Sequence, residues 1–271
     1  MVHNVWPYLG SLGRLVEIPF TTSESVAAQE RYVGKTTVEG RRRVQARPAS
    51  PRSWDVSMPL ARGVEASALA AFVSGAWGAG PWHWVSVQAQ RGNLLTPREA
   101  LLLDRAAVAG VADGGPMLGS DGQWSPRSLN IALPGTAATF VRNIPVLPGS
   151  PVTFSADVER RTGAPGLSLG FYDADGAAAG VLLEYGEARA GVQRVSVSGT
   201  VPEGAASIAV GVHTNTARLT RPQVTWTDGP VPYSAGHGCR AAIVDGMSEG
   251  LVVANRFGTY SSVGFTVMEV G

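Results

Sequence analysis

A chain of 271 residues that is 44% hydrophobic and only 16% charged exceeds the usual single domain and falls well short of the roughly 25% charge of an ordinary soluble domain. Its surface is therefore expected to be built largely from Ser, Thr, Gly, Pro, Gln and Ala, which suits lasting contact with other subunits. With 22 basic and 21 acidic residues the net charge is +1, which excludes the electrostatic footprint of a nucleic-acid or anionic-membrane binder, and the single Cys239 excludes an internal disulfide or a cysteine-rich zinc site.

Glycine and proline, 34 and 18 residues, recur at short intervals between alternating segments, the spacing of many short strands. In chain order the period-2 or β-branched runs are 15–20, 54–60, 83–88, 152–158, 167–172, 192–197, 208–212, 223–226 and 263–270, each expected as a strand. Residues 21–53 are expected as a long loop that orders on assembly, with Arg41-Arg42-Arg43 as a solvated or salt-bridging arm. Leu69, Phe72, Val73 and Ala76 fall at i, i+3, i+4 and i+7, which predicts a helix over 65–77 capped by Gly78. Thr96, Pro97 and Glu99 make a capping box with proline at the first helical position, predicting a second, short helix. Asp-Gly pairs at Asp113, Asp121, Asp175, Asp228 and Asp245 predict turns. Residues 1–10 lack the basic end and apolar run of a signal peptide, and no stretch approaches the ~18 apolar residues of a membrane span.

The expected fold class is mainly β. Turn-rich points near 91–93 and 230–232 bracket a block with strands enough for one sandwich, whereas 234–271 holds too few to bury a core alone. That predicts a discontinuous β-barrel or sandwich domain, 1–92 with 234–271, carrying one short helix, and an inserted antiparallel β-sandwich at 93–233.

The middle block holds, in order, Asn93-Leu94-Leu95-Thr96, Ser128-Leu129-Asn130-Ile131, Pro148-Gly149 before 152–158, Leu169-Gly170-Phe171-Tyr172-Asp173, Val201-Pro202, and Pro222-Gln223-Val224-Thr225-Trp226 through Tyr233-Ser234-Ala235-Gly236. This order resembles jelly-roll modules of carbohydrate-binding type that recur in phage tail proteins and glycoside hydrolases. Within it, Val152, Phe154, Ala156 and Val158 alternate inward and Thr153, Ser155 and Asp157 outward, the pattern of half-buried antiparallel sheet. The flanks, with Ser53-Trp54-Asp55-Val56-Ser57 and Gly78-Ala79-Gly80-Pro81-Trp82-His83-Trp84-Val85, resemble minor or distal tail proteins of actinobacterial siphophages, a source that the Arg-for-Lys bias also suits. The resemblance implies a non-enzymatic structural component of a phage tail tip. Its outer domain would pair with copies of itself in a ring, and its sandwich would face host-wall polysaccharide. The implied partners are this chain, other tail proteins and that polysaccharide, with no cofactor, no nucleic acid and no membrane insertion. The implied location is the virion, after assembly in the host cytoplasm. The rival readings are a stand-alone carbohydrate-binding module and a glycan-active hydrolase.

A sugar site wants a flat aromatic face against the apolar face of a pyranose, with polar groups for its hydroxyls. Trp124, Tyr172, Tyr185, His213 and Trp226 are the candidates in the middle block, Tyr172 and Trp226 being equally readable as packing residues and Trp124 as the exposed one. Trp77, Trp82 and Trp84 are candidates for a subunit interface, or for sealing the helix on its own sheet. Gly166-Leu167-Ser168-Leu169-Gly170 matches a hydrolase nucleophile elbow, but Ser168 lies in an apolar alternation rather than between strand and helix. Glu184 and Glu187 are read as surface charges rather than a glycosidase pair, and Asp173-x-Asp175-Gly176 as a turn rather than a calcium loop. His3, His83, His213 and His237 show no metal-ligand spacing, so no metal site is expected.

Overall fold

The computed structural model describes the chain except residues 1–5, 20, 22, 29–31, 37, 39–41, 47–50, 105–109, 133–136, 189, 214–215, 257 and 271. The fold is mainly β, with antiparallel pairing throughout the registers described. Two compact units emerge, one of Met1–Leu9, Glu17–Trp84 and Arg240–Gly271, the other of Gly10–Val16 and Val85–Cys239.

In the first unit the strands Trp82–Val85, Cys239–Asn255, Gly258–Glu269, Arg52–Arg62 and Ser23–Ala28 lie side by side in that order. Alternation along Arg52–Arg62 sends Trp54, Val56 and Met58 inward, opposite Val267, Phe265 and Val263 of the neighbouring strand. The helix Gly63–Val73 buries Ala66, Leu69 and Phe72. It ends four residues before the predicted limit, because Gly75 at φ +74° already terminates it and Gly78 lies beyond in a turn. Residues 21–53 are not a bare loop. Ser23–Ala28 pairs with Arg52–Arg62, and Tyr32–Thr36 pairs with Arg42–Ala46. Arg41 and the side chains of Arg42 and Arg43 lie outside the described residues, as does His3.

Two further expectations are corrected. The run 83–88 divides into a strand to Val85 and a helix Val87–Arg91, whose start is capped by the Ser86 hydroxyl accepting from the Ala89 N–H at 2.9 Å. Asp245-Gly246 is a bulge inside the 17-residue strand Cys239–Asn255, not a turn. A long hairpin thus stands where alternation marks a strand only over 263–270.

The second unit is an antiparallel sandwich of jelly-roll type. One sheet runs Val192–Thr200, Pro151–Thr162, Thr216–Thr225, Leu129–Ala132, Val111–Asp113, and the other Ala137–Pro145, Ser207–His213, Gly166–Tyr172, Ala178–Tyr185. Between them Val152, Phe154, Ala156 and Val158 meet Leu167, Leu169, Phe171, Ile208, Val210 and Val212, all fully buried. The helix Pro97–Ala100 forms with its capping box, Thr96 N–H donating to Glu99 Oε2 at 2.8 Å and Glu99 N–H to Thr96 Oγ1 at 3.2 Å. One prediction fails instructively: Pro151–Thr162 is not half-buried, because Thr153, Ser155 and Asp157 on its outward side are covered as well.

Candidate glycan-binding face of the sandwich

The outer face of the four-stranded sheet is built in rows set by register. Gly166 pairs with Tyr185 on one side and His213 on the other. Ser168 follows with Leu183 and Gly211, then Gly170 with Val181 and Ala209, then Tyr172 with Ala178 and Ser207. Directly opposed residues share a face, so these side chains line one surface while Leu167, Leu169 and Phe171 point into the core. The middle rows are floored by Ser168, Gly170, Ala209 and Gly211, walled on the open-edge strand by exposed Val181 and Leu183, and closed at each end by an aromatic ring. From Gly166 to Tyr172 the trough extends roughly 20 Å at strand rise.

The glycines are there for the rings. A Cβ on Gly166 would stand 2.9 Å from the Tyr185 ring, and one on Gly170 3.2 Å from the Tyr172 ring. The Tyr185 hydroxyl and His213 Nδ1 are 2.9 Å apart, with the two rings edge to face at 5.8 Å. Tyr185 remains 48% exposed. Aromatic faces, a phenol–imidazole pair and the Ser168 hydroxyl can stack on pyranose rings and exchange hydrogen bonds with their hydroxyls. No Asp, Glu, Lys or Arg occupies the rows, which suits a neutral ligand.

Three of the sequence candidates, Tyr172, Tyr185 and His213, thus meet on one face, while Trp226 and Trp124 lie elsewhere. Trp226 follows the strand Thr216–Thr225 half-buried, its main-chain N–H donating to Gln90 O at 2.8 Å. Trp124 stands exposed on the short hairpin formed by Met117–Leu118 and Trp124–Ser125. In the first unit Trp84 is buried against Trp54, ring centroids 6.3 Å apart, whereas Trp77 stacks on Phe72 at 5.4 Å and Trp82 meets it edge-on at 5.2 Å. The pair therefore clamps the helix, with one face of Trp77 left to solvent. Ser168 lies mid-strand between Gly211 and Leu183, without the turn that an elbow requires. Glu184 alternates to the side opposite Leu183 and Tyr185. Asp173 Oδ1 accepts from the N–H groups of Asp175 and Ala177 at 3.0 and 2.8 Å, closing a hairpin turn. Among the described residues no three acidic, histidine or cysteine side chains gather as metal ligands do.

The other outer face of the sandwich carries a group of charges that sequence reasoning missed. Asp157, 1% exposed, accepts from Ser120 Oγ at 2.7 Å and lies 3.6 Å from Arg194 and 3.4 Å from Arg221. Arg221 is bidentate on Asp121 and lies 4.3 Å over the Tyr233 ring. Arg194 also bonds Gln223 Oε1 and Ser155 Oγ. The hydrogen bonds from Arg221 hold the Asp121 carboxyl well below the usual carboxylate range, and burial lowers the Arg194 pKa and raises that of Tyr233. Arg221 takes φ +53°, unusual for a side-chain-bearing residue. A Cβ on Gly119 would collide with its guanidinium. The only sequence signal was Asp157 on an apolar strand, which reads equally well as a solvated charge.

No family model matches the chain, and the search of curated proteins finds no match. Among solved structures, the enzymatically active domain of bacteriophage CBA120 tailspike protein 4 aligns at 15% identity over 50% of this chain and 21% of its own, TM-score 0.40. The chain thus spans about a fifth of that domain's length. A carbohydrate-binding module of Cellvibrio mixtus lichenase 5A, solved with cellotriose, aligns at 11% identity over 46% and 92% of the two chains, TM-score 0.33. The xylan-binding domain CBM22-1 of Paenibacillus barcinonensis Xyn10C aligns at 14% over 52% and 99%, TM-score 0.32.

Proposed function

We propose that the sandwich binds a neutral polysaccharide chain in the trough between Tyr172 and the Tyr185–His213 pair, by stacking and hydrogen bonding rather than by turnover. The observation that carries this reading is the gathering of the three residues on the outer face of one sheet, beside exposed Val181 and Leu183 and over rows of Gly, Ser and Ala. Affinity electrophoresis through gels holding soluble neutral polysaccharides tests it. Tyr185→Ala and Tyr172→Ala are each expected to weaken retardation about tenfold, the scale of an aromatic hot spot, and the double variant to weaken it further than either, with the circular dichroism spectrum unchanged. Retardation of the double variant at the wild-type level would refute the site.

The second part of the proposal is that the first unit self-assembles, making the chain a structural component of a phage tail, at its tip, as the sequence resemblance implies. It is supported by the hairpin of Cys239–Asn255 and Gly258–Glu269. The first of these strands has 17 residues, yet its neighbour on the outer side, Trp82–Val85, has four, which leaves most of that edge open. Leu251, Val252 and Val253 are exposed in succession, Leu251 by 68%, so both faces of the hairpin offer apolar surface. Open apolar edges template pairing with another chain. Light scattering is expected to give a multiple of the 28.2 kDa chain mass, reduced to the monomer by Leu251→Ser with Val253→Ser. A wild-type monomer that retains glycan binding would favour the stand-alone module instead.

A further inference from the structure

We propose that Trp124 and Leu118 form a second glycan contact, on the face of the sandwich opposite the trough, so that one copy of the chain holds two polysaccharide strands. This inference rests on the sandwich being a glycan binder and goes beyond it in site and valency. The two residues are directly opposed in a hairpin of two residues per strand, and both are exposed, Trp124 by 71% and Leu118 by 41%. So short a hairpin has no stability of its own. It is held by side chains of the five-stranded sheet: Asp121 by the Arg221 fork, Ser120 by buried Asp157, and Ser125 by Thr220 Oγ1 at 2.7 Å. Arg221 takes its left-handed backbone conformation at a bulge of its strand, and a Cβ on Gly119 would meet its guanidinium. Strain of this kind persists where surrounding structure over-determines it, and it clusters at ligand-contacting sites. What the clasp presents outward is a largely exposed indole on a hairpin backbone that is already held in place.

The size of the patch selects the occupant. Two apolar side chains make far less than the roughly 800 Å² per partner of a stable protein interface, whereas one indole matches one pyranose ring. Asp121 and exposed Gln123, in the turn between the two residues, supply acceptors and donors for hydroxyls. The clasp lies on the outward side of Pro151–Thr162 and Thr216–Thr225, and the trough on the outward side of the other sheet. Stacked sheets are about 10 Å apart before their outer side chains are added, so a chain lying along one face does not reach the other.

The test uses the full-length protein, made monomeric by Leu251→Ser with Val253→Ser so that self-assembly does not itself cross-link, and otherwise wild type, with dextran, galactomannan, arabinogalactan and mixed-linkage β-glucan of high molecular mass. Wild type is expected to turn a binding polysaccharide turbid by cross-linking, and the Trp fluorescence to shift to shorter wavelength. Trp124→Ala should remove the turbidity and the shift, halve the protein bound at saturation and leave trough binding intact. Trp124→Phe should restore part of the turbidity. Tyr172→Ala with Tyr185→Ala should also remove turbidity and halve saturation, but keep the fluorescence shift. Unchanged turbidity and saturation in Trp124→Ala would overturn the second contact while the trough reading stands. Loss of all binding in Trp124→Ala, with none in the tyrosine variant, would overturn the trough and the bivalency together. Failure of wild type to bind any of the four would overturn both.

Discussion

Replacing Asn93 with leucine is expected to destabilise the sandwich by about 3–5 kcal/mol. Asn93 is fully buried, and its amide uses both ends. The Nδ2 group donates to Pro222 O and Ser234 O, and Oδ1 accepts from the N–H groups of Leu95 and Val224, all at 3.1 Å. Leucine of similar volume leaves those four main-chain groups inside without partners and without water, each at a cost of about 1–3 kcal/mol before relaxation. Asn93→Asp keeps the acceptor but turns the donating end into an oxygen facing two carbonyls, so it should also destabilise. Urea unfolding followed by Trp226 fluorescence and circular dichroism measures the effect, and a wild-type midpoint in Asn93→Leu would show that the bonds add little.

Asp157→Ala is expected to cost about 3–5 kcal/mol, because the loss leaves Arg194 and Arg221 facing each other in a covered site with their shared counter-charge gone. Asp121 makes the shorter contact with Arg221, yet its side chain is 49% exposed. Water screens that pair, so Asp121→Ala should cost about 1 kcal/mol or less. Contact distance alone would rank the two the other way, and burial decides. Removing Arg221 together with Asp157 should recover part of the loss, which a double-mutant cycle reads directly. If Asp121→Ala proves the more damaging, the clasp draws its strength from the surface and the buried carboxylate is a bystander.

Much of the β framework was legible because alternation is a local signal: Val152, Phe154, Ala156 and Val158 need only a pleat and a core, and Thr96-Pro97-Arg98-Glu99 carries its own cap. What stayed hidden depends on partners distant in sequence. Ala178–Tyr185 contains Leu182 and Leu183 in succession and no clean period, since it is an edge strand with Leu183 exposed over the trough and Leu182 packed toward Gly199. Cys239–Asn255 was obscured by Gly246 and Gly250, of which the first makes a bulge. In the candidate sugar site, the aromatic residues were readable by type, but only register shows which of them share a face. The Gly-x-Ser-x-Gly segment is the sharpest case. Its glycines look like those of a catalytic turn, yet they exist because Tyr185 and Tyr172 rest on them. The ionic group escaped notice because its four charged members come from four places in the chain, and their burial depends on a two-residue hairpin folding over them.

The chain on either side of Asn93 and around His237 runs as a closely laid pair, with His237 N–H bonded to Asn93 O and Gly238 N–H to Leu95 O, both at 2.9 Å. Gly236 and Gly238 lie so near the opposing backbone that any side chain there would strike it. The stretch from Asn93 to Gly238 therefore begins and ends at one seam inside the second unit, which Gly10–Val16 joins separately. A stretch whose two ends meet in this way behaves as a cassette. Recombination could exchange the residues beyond the seam for another domain with adjacent ends, changing what is recognised while the strands on the near side keep their sequence and their pairing.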